Sequence, residues 1–257
     1  MNNAFMRCEK ARQRRHLMID FKAAAAPAAS RGVPANWRAR DIRLEDLVYE
    51  LTPANVAELE ALLATLEDKG INYLDTAAGD LPLPGLDSEL RSLYAQVRDG
   101  AGFVMLRGIP VRHHTKEEIR ALAWALACRF GRPVSQNAKG AMIADVMDTL
   151  KGGGSPRGYH SNAELRLHTD PASDLIGLCC IEDAKEGGDS TLSNALAVHD
   201  EMKARRPDLV DVLYEGFPYN RFGEGLAGEA VGRPREVADA PRRVAVDVQA
   251  LAALAAR

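Results

Sequence analysis

Asn162-Ala163-Glu164-Leu165-Arg166-Leu167-His168-Thr169-Asp170 ends in a histidine and an aspartate two positions apart. In an extended strand, residues i and i+2 point to one face. His168 and Asp170 would then present an imidazole nitrogen and a carboxylate oxygen to a single ion, while Thr169 points the other way. Two histidines and one carboxylate with open positions are how non-haem iron(II) is held. The stretch therefore predicts two-thirds of an iron site on a strand, with the last histidine due from a later strand. No histidine follows His199.

The surroundings of this stretch read as strands. Met142 to Met147 and Glu164 to Asp170 are candidates, and Asp174 to Ile181 is nearly continuous apolar, as a central strand would be. Ser190-Thr191-Leu192-Ser193 follows a turn, Glu186-Gly187-Gly188-Asp189. Before them the pattern is helical. Thr52-Pro53 opens a helix with a hydroxyl at N-cap and proline at N1, its apolar stripe runs from Val56 to Leu66, and Gly70 ends it. Leu81-Pro82-Leu83-Pro84 is a rigid connector, Ser88 to Val97 a second helix, and Gly102 to Gly108 a short buried strand. Thr115 and Glu118 form a capping box for a third helix carrying Ile119, Leu122, Leu126 and Phe130, stopped by Gly131 and Pro133. Helices return at Ala195 to Ala204 and, after Pro207, at Asp208 to Glu215. Helices first and a strand-rich centre predict an α+β domain built around a β-sandwich or jelly-roll.

Residues 1–35 are rich in Ala, Arg and Pro and read as a poorly ordered arm, or as an over-extended start with Met18 as initiator. The domain proper spans 36–222. From Gly223 the composition changes: 35 residues contain ten alanines and no aromatic, His, Lys, Ser or Thr. Val244 to Ala256 fits an Ala/Leu helix. Residues 223–257 read as a tail foreign to the domain before it, as a frameshift would produce, with a natural Ala-rich terminal helix as the alternative.

Composition narrows the function. Thirty-three basic and 36 acidic residues leave a net charge of −3, which gives no field for nucleic acid or anionic membrane. No run approaches the roughly 20 apolar residues of a membrane span, and no signal-peptide core follows the basic cluster from Arg7 to Arg15. Cys8, Cys128, Cys179 and Cys180 show neither CxxC spacing nor a disulfide framework, so buried thiols in a reducing cytoplasm are expected.

Six ordered motifs resemble one family. They are Gly102-Phe103-Val104-Met105-Leu106-Arg107-Gly108-Ile109-Pro110, then Gly131-Arg132-Pro133-Val134-Ser135-Gln136-Asn137, then Gly158-Tyr159 leading to Leu167-His168-Thr169-Asp170. Gly187-Gly188-Asp189-Ser190-Thr191-Leu192, Ala197-Val198-His199-Asp200-Glu201-Met202 and Arg206-Pro207-Asp208-Leu209 follow. Together they resemble the taurine-dioxygenase/clavaminate-synthase-like Fe(II)- and 2-oxoglutarate-dependent oxygenases. The resemblance runs from about Trp37 to Glu224. It implies a double-stranded β-helix (jelly-roll) with flanking helices, incomplete here because nothing after Phe222 reads as its closing strands. It implies His168 and Asp170 as iron ligands, with no catalytic residues beyond them. Ser190, or Thr191 if the register slips by one, would touch the co-substrate carboxylate. Gln136, Asn137 and Tyr159 match polar positions near the mouth of such a site, where ordinary loop hydrogen bonding is an equal reading. The implied reaction consumes 2-oxoglutarate and O2 and hydroxylates a small molecule, such as an amino-acid derivative or a sulfonate. The family's second histidine and its carboxylate-clamping arginine find no match; Arg233, Arg235, Arg242 and Arg243 lie where nothing aligns. On this reading the isolated chain is impaired or inactive. The alternative is a degenerate, non-catalytic jelly-roll fragment with a binding role or none.

His113 and His114 read as solvated loop histidines, and His199 as a helix-surface residue. His160 and His168 lack a partner at zinc-site spacing. Gly223-Glu224-Gly225-Leu226-Ala227-Gly228 matches GxGxxG but follows no buried strand, so it reads as chance. Gly152-Gly153-Gly154-Ser155 lacks the ending of a phosphate loop and reads as a flexible connector.

Overall fold

Leucines at helical spacing in three amphipathic segments build the main core, and the turns between them set the order. The computed structural model describes residues 33–34, 36–137, 139–148, 160–161, 164–165, 167–168, 173–214, 217–218 and 234–235. Strand β1 (Val48–Glu50) leads into helix α1 (Pro53–Asp68). Thr52 caps α1 as its sequence predicts: its hydroxyl accepts from the Asn55 amide, and the Thr52 amide donates to the Asn55 side-chain oxygen. The helix ends in a Schellman motif. The Ile71 amide donates to the Leu66 carbonyl and the Gly70 amide to the Glu67 carbonyl, with Gly70 at φ 58°.

The connector Leu81-Pro82-Leu83-Pro84 is more than a spacer. Leu81 and Leu83 are fully buried while Pro82 and Pro84 stay exposed, the alternation of an extended segment laid on a core. Helix α2 (Asp87–Asp99) follows, then strand β2 (Met105–Arg107) and helix α3 (Lys116–Phe130). The capping box of α3 is present, with the Thr115 amide and hydroxyl both donating to Glu118. Leu59, Leu63, Leu90, Leu93, Leu122 and Ala125 meet between the three helices. Each buried leucine contributes roughly 1.5–3 kcal/mol.

Arg129 carries a charge into this seam. Its guanidinium, 3% exposed, donates to Asp87 at 3.1 Å, to the Ala125 carbonyl at 2.9 Å and to the Leu81 carbonyl. Three acceptors from α2, α3 and the connector satisfy what would otherwise be a costly buried cation.

Strands β1 and β2 pair in parallel, with Val48 opposite Met105 and Glu50 opposite Arg107. The link between parallel strands must cross over, and α1 and α2 supply it. The Arg107–Glu50 ion pair at 2.6 Å closes the ladder's end. A second cluster joins Val33, Trp37, Leu47, Ala101 and Phe103, with Ile176 and Leu192 packed on it. The Trp37 indole donates to the Ala101 carbonyl at 2.7 Å. Of the arm over 1–35, Val33 and Pro34 fall within the described residues, and Val33 is buried there.

Helices α4 (Ala195–Arg205) and α5 (Pro207–Tyr214) form a hairpin. Asn194, buried, caps α4 by accepting from the Ala197 amide. Strand β3 (Phe217–Pro218) then pairs antiparallel with β4 (Pro234–Arg235).

The five helices predicted before Gly131 or after Asn194 form close to their expected bounds, and the strand expected over Gly102 to Gly108 forms over Met105–Arg107, but the strand-rich centre does not form among the described residues. Residues 142–147, 174–181 and 190–193, and the described residues of 164–170, are not in strands. Apolar content marks burial; a strand also requires a neighbour to share its ladder. Residues 142–147 instead lie along α3, where Lys116 and Arg120 hold Asp145 at 2.8 and 2.7 Å. Cys179 and Cys180 are both half-buried rather than on opposite faces of a strand. The jelly-roll expected from the sequence is thus met, among the described residues, by helices and two short strand pairs.

Candidate metal centre

His168 is half-buried. Asp170, its expected partner, lies outside the described residues, as does Tyr159. Among the described residues no three His, Cys, Asp or Glu side chains are grouped to hold a metal. The donor chemistry of the pair still suits iron(II), since imidazole nitrogen and carboxylate oxygen are the ligand types that non-haem iron takes. Burial pushes the Cys128 and Cys179 thiols up to about 11, which keeps them protonated.

Ahead of Ser190 the backbone bends at Lys185 and Glu186, with Gly187 at φ 69° and Gly188 at φ 80°. At Gly188 both conformation and space demand glycine, because a Cβ would lie 2.8 Å from that of Ala184. Exposure then alternates. Ser190 and Leu192 are half-buried, Thr191 and Ser193 exposed, and Leu192 anchors the stretch on the Trp37 cluster. Ser190 is therefore sheltered and Thr191 faces outward.

Gln136 and Asn137 build a local turn. The Asn137 side-chain oxygen accepts from the Lys139 and Ala141 amides at 2.9 and 3.2 Å, and the Gln136 side chain donates to the Val134 carbonyl at 3.0 Å. Gln136 is exposed and Asn137 half-buried. These contacts are loop hydrogen bonding, one of the two readings the sequence offers.

The remaining histidines have other surroundings. His199 on α4 stands edge-on to Tyr214 of α5, its Nε2 3.1 Å from the phenol oxygen, with Asp200 3.7 Å from its other nitrogen. It braces the helix hairpin. His113 is exposed, as expected, but His114 is not a solvated loop residue. Its side chain is largely enclosed between Glu60 and Glu118. That correction follows from α1 packing beside α3, which brings Glu60 to a loop far from it in sequence. The GxGxxG and Gly152–Ser155 segments lie outside the described residues. Sequence reasoning also passed over Arg129, which ties α2, α3 and the connector together, and the buried Asn194, which caps α4. Asn194 had a local signal, an N-cap residue directly before a helix; Arg129 had none, because its partners lie 42 and 48 residues away.

No described helix is long and apolar enough to cross a membrane. The chain is similar to FR-33289 synthase of Streptomyces rubellomurinus, 27% identical over 184 residues that cover 70% of this chain and 54% of that protein. It is similar also to the taurine hydroxylase-like protein SAT17 of Stachybotrys chartarum, 28% identical over 187 residues, covering 69% of this chain and 48% of that protein. The chain spans about half the length of these relatives. A family match covers residues 67–247, beyond the compositional boundary at Gly223 and including the His168 segment, the glycine turn and helices α2 to α5. With that match over most of its length, the chain belongs to the taurine catabolism dioxygenase TauD, TfdA family of 2-oxoglutarate-dependent oxygenases.

Proposed function

We propose that this chain is an Fe(II)- and 2-oxoglutarate-dependent dioxygenase of the hydroxylase type, acting on a small molecule such as an amino-acid derivative or a sulfonate. The observation that carries this reading is the family match with His168-Thr169-Asp170 inside it. In it, His168 and Asp170 hold the metal. Ser190 offers its hydroxyl to the co-substrate carboxylate, a role that its sheltered position favours over exposed Thr191. Gln136 and Asn137 shape the loop at the mouth through the turn they build, and Tyr159 faces the substrate. When bound, the metal couples O2 to the oxidative decarboxylation of 2-oxoglutarate and to hydroxylation of a C–H bond. The residues bind and orient the reactants and limit the entry of water.

The alternative reading is a non-catalytic jelly-roll fragment that binds a ligand or partner. Fe(II)-dependent formation of succinate from 2-oxoglutarate separates the two. Turnover by the full chain that disappears in His168→Ala supports the oxygenase. Turnover no greater than that of the variant leaves the non-catalytic reading.

A further inference from the structure

His114 sits between two carboxylates on different helices. Its Nε2 lies 3.0 Å from Glu60 Oε1 of α1, its Nδ1 lies 3.5 Å from Glu118 Oε1 of α3, and the side chain keeps 11% exposure. Only the protonated ring donates from both nitrogens; a neutral ring turns one lone pair toward a carboxylate. Glu118 is already committed, because its Oε2 takes the Thr115 amide and hydroxyl at 2.7 and 2.6 Å to cap α3. The imidazole thus ties the start of α3, through its own capping residue, to the side of α1. We propose that His114 is a pH-sensitive latch, fastening α1 to the N-terminus of α3 when protonated and loosening that seam when neutral.

The charges acting on the ring are Glu60 from α1 and Glu118 from α3. The hydrogen bond to Glu60 contributes most in raising the His114 pKa; burial opposes it, and the Glu60 and Glu118 charges add to the rise. Because the folded value is raised, the latch stabilises fully below the ordinary histidine range. Its contribution is lost as pH rises through the folded value. The seam it guards is a principal one, for Leu59 of α1 and Leu122 of α3 are both fully buried in the main core.

The test uses the full chain and needs no turnover. The His114 ring is titrated by NMR, and melting temperatures are recorded from roughly pH 6 to pH 9, around the histidine range, for wild type, His114→Gln and Glu60→Gln. The expected results are a wild-type His114 midpoint above the ordinary histidine value and a melting temperature that falls with pH. That fall is smaller by a few degrees in His114→Gln, and the His114 midpoint moves down in Glu60→Gln. Equal pH slopes for wild type and His114→Gln, or a wild-type midpoint at or below the ordinary value, would overturn the proposal. If His114→Gln fails to fold, Glu60→Gln decides: an unmoved midpoint there also overturns it.

Discussion

Arg129 holds a full charge where the neighbouring side chains are leucines, and it is stable there because three oxygens converge on one planar guanidinium. Replacing it with methionine keeps the volume but leaves the Leu81 carbonyl and Asp87 without their partner. The expected loss is on the order of 3 kcal/mol. Urea unfolding would show it as a lower midpoint at unchanged slope. Lysine should not rescue it, since one ammonium on a flexible stem cannot serve three divergent acceptors. An unchanged midpoint in Arg129→Met would contradict this role. Residues whose signals are close in sequence were legible at this scale: Thr52 as an N-cap directly before Pro53, and Thr115 with Glu118 three positions apart on a helix start. Arg129 and His114 were not, because their partners arrive only when α1, α2 and α3 pack. The His168 and Asp170 pairing is read from a two-residue spacing that presumes an extended backbone, and Asp170 lies outside the described residues.

Gly70 isolates what an element's end requires. At φ 58° it closes α1, and a Cβ added there would meet nothing within 4 Å. Gly70→Ala therefore carries a backbone penalty with no steric one, about 1 kcal/mol. Thermal unfolding should register that as a modest fall in melting temperature. A neutral substitution would mean that the helix end readjusts without the left-handed residue. Helices were legible as elements because caps, apolar period and terminating glycine all lie within one segment. The strands were less so. The run from Asp174 to Ile181 has the apolar content of a central strand, yet no ladder partner pairs with it among the described residues. Conversely Val48–Glu50 is three residues long with no clear alternation, and becomes a strand because Met105–Arg107 lies alongside. Pairing is a property of two segments, and neither announces the other.

For the molecule as a whole, Trp37 joins parts of the chain that are remote in sequence. Its ring packs on Phe103 with centroids 5.6 Å apart, and Ile176 and Leu192 rest on the same cluster. Nearby, Asn36 bonds Asp200 and Arg38 pairs with Glu201, but these contacts are exposed and contribute little. Trp37→Ala should cost about 3–5 kcal/mol. It should also speed amide hydrogen exchange around Ile176 and Leu192, next to Ser190, more than in α1. Uniform exchange changes would mean that the cluster does not position that stretch. The order of motifs along the chain was the most legible feature at this scale, since it needed no contact to be known. It pointed to the family that the match over residues 67–247 bears out. The proposed iron ligands His168 and Asp170 are tested most directly by anaerobic Fe(II) titration of wild type, His168→Ala and Asp170→Ala. The account predicts that each substitution weakens binding by at least roughly 10-fold. Equal affinity in all three proteins would contradict it.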